Sequence, residues 1–137
     1  MTSRERVALA LQHREADRIP LDLGASAVTG MHVSAVYTLR QALGLDAPGT
    51  PVKVVEPYQM LGEIAPDLMD ALEVDVVGLG GPRNLFGFRN EGWKEWKLFD
   101  GTPVLVPPPV TLTLSTHLPG PAIRWRNRHG LSAPPMG

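Results

Sequence analysis

Apolar residues recur at helical spacing in two stretches near the N-terminus. The first, over 7–11, follows Thr2 and Glu5, whose spacing is that of a capping box. The second covers 34–43 and ends before Gly44, a residue suited to a left-handed helix cap. Both stretches therefore predict short amphipathic helices.

Three further stretches have the pattern of strands. Residues 19–23 alternate between apolar and polar, 52–55 form a short extended piece, and 74–79 are almost continuously apolar. Between the last two, apolar positions continue at helical spacing over 57–72, with Pro66 as an interruption. This predicts two short helices or one kinked helix.

Strands joined by helices are most easily built as parallel neighbours, so the order of elements predicts an α/β fold. Asp100 and Gly101 lie between strand-like residues at 96–99 and 102–106, which predicts a β-hairpin with a two-residue loop. The character of the chain changes after 106, and no helical or strand period persists beyond the VTLTL run at 110–114, so we expect an irregular tail over 107–137.

Composition narrows the class of protein. The chain has 137 residues, a formal net charge of -1 and no cysteine. A net charge this close to zero produces no positive potential that would attract nucleic acid or an anionic membrane. The lack of cysteine excludes disulfides and thiolate metal sites within the chain. Without a membrane-length apolar stretch or a signal-peptide pattern, the expected location is cytoplasmic.

Candidate chemistry lies in the loops that follow the two apolar strands. His32 comes after the strand at 19–23, and a histidine there suits acid–base work, carboxylate binding or simple helix capping. Arg83, Asn84 and Arg89 lie in a glycine-rich stretch after the strand at 74–79, and suit a carboxylate or phosphate group. Neither stretch contains a P-loop or dinucleotide pattern.

Two other groups have less specific patterns. Trp93 and Trp96 suit either stacking on a planar ligand or packing within the hairpin. The acidic residues over 67–75 are most simply solvent-exposed, and we expect no metal site in this chain.

Six runs resemble the uroporphyrinogen decarboxylase superfamily, most closely its methyltransferase-like branch. They are RERV at 4–7, HREADRIPLD at 13–22, TGMHVS at 29–34, VEPYQML at 55–61, VDVVGL at 74–79 and GPRNLFGFRNEGWK at 81–94. The resemblance covers roughly residues 3–106 and is most specific in the last run.

The resemblance implies a (β/α)8 barrel, of which this chain would supply only the N-terminal portion. It also implies an enzyme that moves methyl groups to or from corrinoid or thiol carriers, or decarboxylates uroporphyrinogen. Zinc and a corrinoid partner belong to the full-length methyltransferases, whereas the decarboxylases use no cofactor. His32, Thr29, Arg83, Asn84 and Arg89 stand in the matching runs and are the expected substrate contacts.

Two departures weigh against uroporphyrinogen as the substrate. The arginine-rich motif of the decarboxylases is missing from 24–32, and Leu79 with two glycines replaces their aspartate after the second strand. We expect a fragment over 1–106 that is inactive alone, followed by a tail over 107–137 that a disturbed reading frame would explain. The alternatives are a non-catalytic binding module, one half of a split barrel docked on a second chain or copy, or a decarboxylase.

Overall fold

The computed structural model describes residues 1–84 and 87–108, together with the backbone of Thr113–Ser115 and Ala122–Arg124. It has three helices: α1 (Ser3–Leu11), α2 (Val33–Ala42) and α3 (Pro66–Ala71). Its six strands are β1 (Val52–Glu56), β2 (Leu61–Gly62), β3 (Lys94–Lys97), β4 (Pro103–Val106), β5 (Thr113–Ser115) and β6 (Ala122–Arg124).

The helix ends follow the local signals in the sequence. Thr2 and Glu5 form the predicted capping box at the start of α1. Gly44, with φ of +67°, ends α2, and the amides of Gly44 and Leu45 bond back to the carbonyls of Gln41 and Arg40. This is a Schellman cap, as a glycine just beyond a helix favours.

The faces of the helices differ from the prediction. In α1 the buried residue is Arg6, while Leu11 is exposed. In α2 the buried residues are Val33, Val36 and Arg40. Both α1 and α2 therefore bury an arginine. The spacing of apolar residues alone does not predict this.

The predicted helix over 57–72 is wrong in its first half. Residues 57–60 form a turn, which the Glu56 carboxylate closes by accepting the amides of Tyr58 and Gln59 at 2.7 Å each. The chain then forms β2, antiparallel to β1. Pro66 begins α3 instead of kinking a longer helix, because a proline in the first turn loses no helical hydrogen bond.

The main sheet is open and mixed, with strand order β2-β1-β4-β3. β1 and β4 are parallel, whereas the other two pairs are antiparallel. The predicted (β/α)8 barrel portion is therefore wrong: four strands and three helices are too few for eight β/α units, and the sheet leaves β2 and β3 as edges. The chain is a small α/β unit.

The hydrophobic core lies on one face of this sheet. Strands β1 and β2 contact α2, the valines of β1 and β4 belong to the same buried cluster, and Leu68 of α3 is completely buried. The core residues are Val33, Val36, Val52, Val54, Met60, Ile64, Leu68, Val104 and Val106. Burial alternates along β1 and β4, as expected for a sheet covered on one side.

The hairpin of β3 and β4 has a longer loop than predicted. Leu98 and Thr102 flank three residues, and the Leu98 carbonyl accepts the Gly101 amide at 3.0 Å. Gly101 has φ of +87°, which is typical of a turn followed by a bulge. Strands β5 and β6 pair antiparallel within the predicted irregular tail, and apart from residues 107–108 the rest of that tail is outside the described residues.

Candidate functional site

The segments 19–23 and 74–79, which were predicted as strands, form no regular strand but meet in a short parallel contact. The Leu21 carbonyl accepts the Asp75 amide at 2.8 Å, and Asp22 pairs with Val76. Because the pairing is parallel, the loops that follow both segments begin at the same end of the contact. We call residues 24–30 the first loop and 80–92 the second loop.

Asp75 holds this contact together. Its side chain is completely buried, and its Oδ2 accepts the Leu21 amide at 2.9 Å and the Arg18 guanidinium at 2.7 Å. Arg6 donates to the other carboxylate oxygen. The Leu21 amide, followed by the Ser3 hydroxyl and the two guanidiniums, holds the pKa of Asp75 far below its usual range.

Arg6 extends this cluster to the chain between α1 and the first strand segment. Its guanidinium forks onto Asp17 at 2.7 and 2.8 Å while also bonding Asp75. The hydrogen bond from Arg6 lowers the pKa of Asp17 to about 2. The charged groups of the cluster therefore satisfy one another, which indicates a structural role.

In the first loop, the predicted site residue Thr29 is held by its neighbours. Its hydroxyl donates to Asp22 Oδ1 at 3.0 Å, and its carbonyl accepts the Gly24 amide at 2.9 Å. Asp22, half-buried at the end of the parallel contact, is a site residue that the sequence analysis missed. Its strand-end position before a loop of small residues was the available signal.

His32, the predicted acid–base or carboxylate-binding group, caps α2. Its Nδ1 accepts the Ser34 amide at 3.3 Å, so the capping interpretation describes its position in the structure. The ring is exposed, and its Nε2 makes no hydrogen bond to the described residues. A ligand can therefore reach that nitrogen, and a role in substrate contact stays a prediction.

In the second loop, Arg83 and Arg89 face each other across an antiparallel bridge. Arg83 donates to the Gly87 carbonyl at 2.8 Å, and Arg89 pairs with Glu91 at 2.9 Å. Asn84 is half-buried, and its Oδ1 accepts the Phe88 amide at 3.0 Å. The two arginines are thus exposed, whereas the asparagine is engaged in the turn.

The structure places the candidates in two groups. Thr29 lies in the first loop with His32 two residues beyond its end, and Arg83, Asn84 and Arg89 belong to the second loop. No hydrogen bond or ion pair between described residues joins the groups directly. The loops do approach each other at their bases, where a side chain at Gly78 would clash with the Ala25 carbonyl.

The tryptophans have surroundings of their own. Trp93 is half-buried, with the Lys53 ammonium 5.9 Å from its ring centroid. Trp96 is 41% exposed and borders an open groove of about 400 Å³ together with Pro51 and Pro103.

The described residues offer neither a cluster of metal ligands nor a membrane-spanning helix. Among them, no group of three or more His, Asp or Glu side chains is arranged to hold a metal ion. Nor does any helix in the described ranges combine the length and apolar character needed to span a bilayer. Asp67, one of the acidic residues considered above, instead bonds Arg40 at 2.7 and 2.8 Å.

Comparisons of the chain with protein-family models, with curated proteins and with solved structures find no match.

Proposed function

We propose that this chain is part of a uroporphyrinogen decarboxylase-like enzyme of the methyltransferase type, and that it catalyses nothing alone. The observation that carries the proposal is the parallel contact of Asp22 with Val76. It joins two of the runs that resemble the family, and the loops bearing His32 and Arg83 leave it at the same end. In α/β proteins, ligands bind where loops leave the carboxyl ends of parallel strands.

An open apolar flank supports the need for a further segment or a second chain. Along the two segments of the parallel contact, Ile19 is 89% exposed, Val77 67% and Leu79 fully exposed. Burying side chains of this size stabilises a protein by roughly 1.5–3 kcal/mol each.

In this proposal the chain contributes positioning groups, and the rest of the enzyme contributes the reacting centre. His32 Nε2 and the arginines of the second loop would contact substrate. Zinc and a corrinoid or thiol carrier would be held outside the described residues, and a cytoplasmic location is part of the proposal.

The same flank favours one other candidate, a non-catalytic binding module. In that case the exposed side chains of Ile19, Val77 and Leu79 bind a partner protein, and the two loops have no small-molecule ligand. The two candidates differ in whether the loops respond to a corrinoid.

The test is a titration of the ¹⁵N-labelled chain with methylcobalamin, with coproporphyrin as a stable tetracarboxylate comparison. We expect shifts of the His32 and Thr29 amides with methylcobalamin, and no methyl transfer to a thiol. His32→Asn should reduce these shifts while keeping the helix cap, because asparagine is a good N-cap residue.

The matched control is His13→Asn, since His13 has φ of +55° and asparagine tolerates that conformation. Turnover by the chain alone would contradict the claim that it is inactive. Unchanged amides with both ligands would leave the binding module as the better candidate.

A further inference from the structure

Residues 82–84 and 87–90 of the second loop pair with each other in an antiparallel arrangement, which we call the arginine hairpin. The Asn90 amide donates to the Pro82 carbonyl at 3.1 Å, and the Asn84 amide to the Phe88 carbonyl at 2.9 Å. Phe88 is only 8% exposed and anchors the hairpin. Its backbone is thus held before any ligand arrives.

The register of this hairpin sets Arg83 against Arg89. The two backbone hydrogen bonds flank the pair, so these residues occupy a non-hydrogen-bonded position of the ladder. At such a position the side chains project from the same face, with Cβ atoms about 4.5–5.5 Å apart. Two like charges placed directly opposite each other are destabilising unless a counter-charge lies between them.

The counter-charge within the hairpin is incomplete. Glu91 pairs with Arg89, and both side chains are about two-thirds exposed. Arg83 bonds the Gly87 carbonyl, and none of the described carboxylates forms an ion pair with it. By contrast, Arg6 and Arg40 each lie between two carboxylates.

We propose that this face of the arginine hairpin binds a small-molecule oxyanion, a carboxylate or phosphate group, between Arg83 and Arg89. A guanidinium presents donors in a fork that matches both groups, and two forks on one face fit a dianion. Glu91 is the internal competitor, since its carboxylate occupies Arg89 when no ligand is bound. The inference goes beyond the proposed function, because it needs neither a corrinoid nor a porphyrinogen.

The experiment titrates the full chain with inorganic phosphate and, separately, with succinate at constant ionic strength. Arginine Nε–H and hairpin amide resonances report the binding, and dimethyl succinate is the uncharged control. Arg83→Gln should weaken binding about tenfold, the value of one charge-assisted hydrogen bond. Glu91→Gln should tighten it about threefold by removing the competitor.

Two further variants test the mechanism. Arg83→Lys keeps the charge and loses the fork, so its affinity should fall between those of the wild type and Arg83→Gln. Arg4→Gln, on the exposed side of α1, should leave binding unchanged. The Asn84 and Phe88 amides show whether each variant keeps the hairpin.

Saturable shifts confined to the hairpin, together with the two opposite effects at Arg83 and Glu91, would support the site. Equal affinities in Arg83→Gln and Arg4→Gln, or non-saturating shifts at every exposed arginine, would overturn it. If Arg83→Gln loses the hairpin resonances, the affinities of Arg83→Lys and Glu91→Gln decide whether the site exists. Phosphate binding without succinate binding assigns the site to phosphate groups.

Discussion

The two loops leave the same parallel contact, yet their glycines have different surroundings. A Cβ added to Gly24 would lie 2.5 Å from Cγ1 of Ile64, and one added to Gly30 would lie 2.5 Å from Cδ1 of Leu61. In the second loop, Gly80 and Gly87 have open space instead. Gly24 and Gly30 thus allow close packing in the first loop, whereas Gly87, with φ of +78° and open space around it, serves chain reversal in the second.

The polar side chains differ in the same way. Thr29 of the first loop bonds the half-buried Asp22, so its hydroxyl is already engaged. Arg83 of the second loop is exposed and bonds a carbonyl, which leaves most of its donors for a ligand. The first loop is therefore mainly part of the fold, and the second is the better place for binding.

Removing the charge of Asp75 should have the largest effect on stability, because it disrupts the parallel contact from which both loops start. Asp75→Asn replaces one acceptor oxygen with a donor in a fully buried site that faces two guanidiniums. We expect the variant to lose its cooperative unfolding transition, as measured by circular dichroism during urea titration.

The control for this prediction is Asp70→Asn on the exposed side of α3. It makes the same chemical change five positions away and should unfold like the wild type. An Asp75→Asn protein with the wild-type urea midpoint would show that the cluster does not hold the parallel contact.

Lowering the pH should weaken the same ion cluster, and with it the parallel contact, more gradually. The pKa values of Asp17 and Asp75 are lowered in the fold, so their stabilisation is present above their unfolded pKa, near 4. It is lost as the pH falls through the folded values, about 2 for Asp17 and lower for Asp75.

Urea midpoints should therefore fall steadily from about pH 5 towards pH 2. Asp17→Asn should start lower at pH 7 and show a shallower fall, since one of the two carboxylates no longer titrates. Parallel curves for wild type and Asp17→Asn would contradict the pKa assignment.

Because Gly24 is closely packed and Gly87 is not, replacing each with alanine should destabilise the protein to different extents. Gly24 and Gly87 have φ of +80° and +78°, so alanine carries the same backbone strain at both, about 1–2 kcal/mol. At Gly24 the new methyl group must also displace Ile64, which costs roughly 1–3 kcal/mol more. The free energy of unfolding should therefore fall further for Gly24→Ala than for Gly87→Ala, and equal losses would refute the packing difference.

Local signals in the sequence predict the helix ends well. The capping box at Thr2 and the left-handed cap at Gly44 depend on a few neighbouring residues, and both occur where predicted. Pro66 shows the limit of such signals, because proline is compatible with a kink or a helix start, and only the pairing of β2 with β1 decides between them. The barrel, which only the family resemblance implied, was wrong because the strands pair in an open mixed sheet, and that pairing is long-range.

For the candidate site, the sequence indicates residue types better than their partners. Arg83 and Arg89 were proposed for anions, but their direct opposition follows from the register of the hairpin. The sequence analysis did not consider Arg6 and expected Asp75 to be solvent-exposed with its acidic neighbours, because a pattern of neighbouring residues does not show a buried ion pair between positions 69 apart. His32 was assigned both a capping and a ligand role, and capping is the one described by its hydrogen bond.

The last comparison uses one substitution in each loop, and both should change stability only slightly. Thr29→Val removes a hydroxyl bonded to the half-buried Asp22, so the free energy of unfolding should fall by about 1 kcal/mol. Arg83→Gln changes an exposed side chain and should alter it by less than about 0.5 kcal/mol. Matched urea titrations compare the two, with phosphate binding measured on the same samples. If Arg83→Gln destabilises the protein as much as Thr29→Val does, the arginine is a brace of its hairpin, and the oxyanion site loses its physical basis.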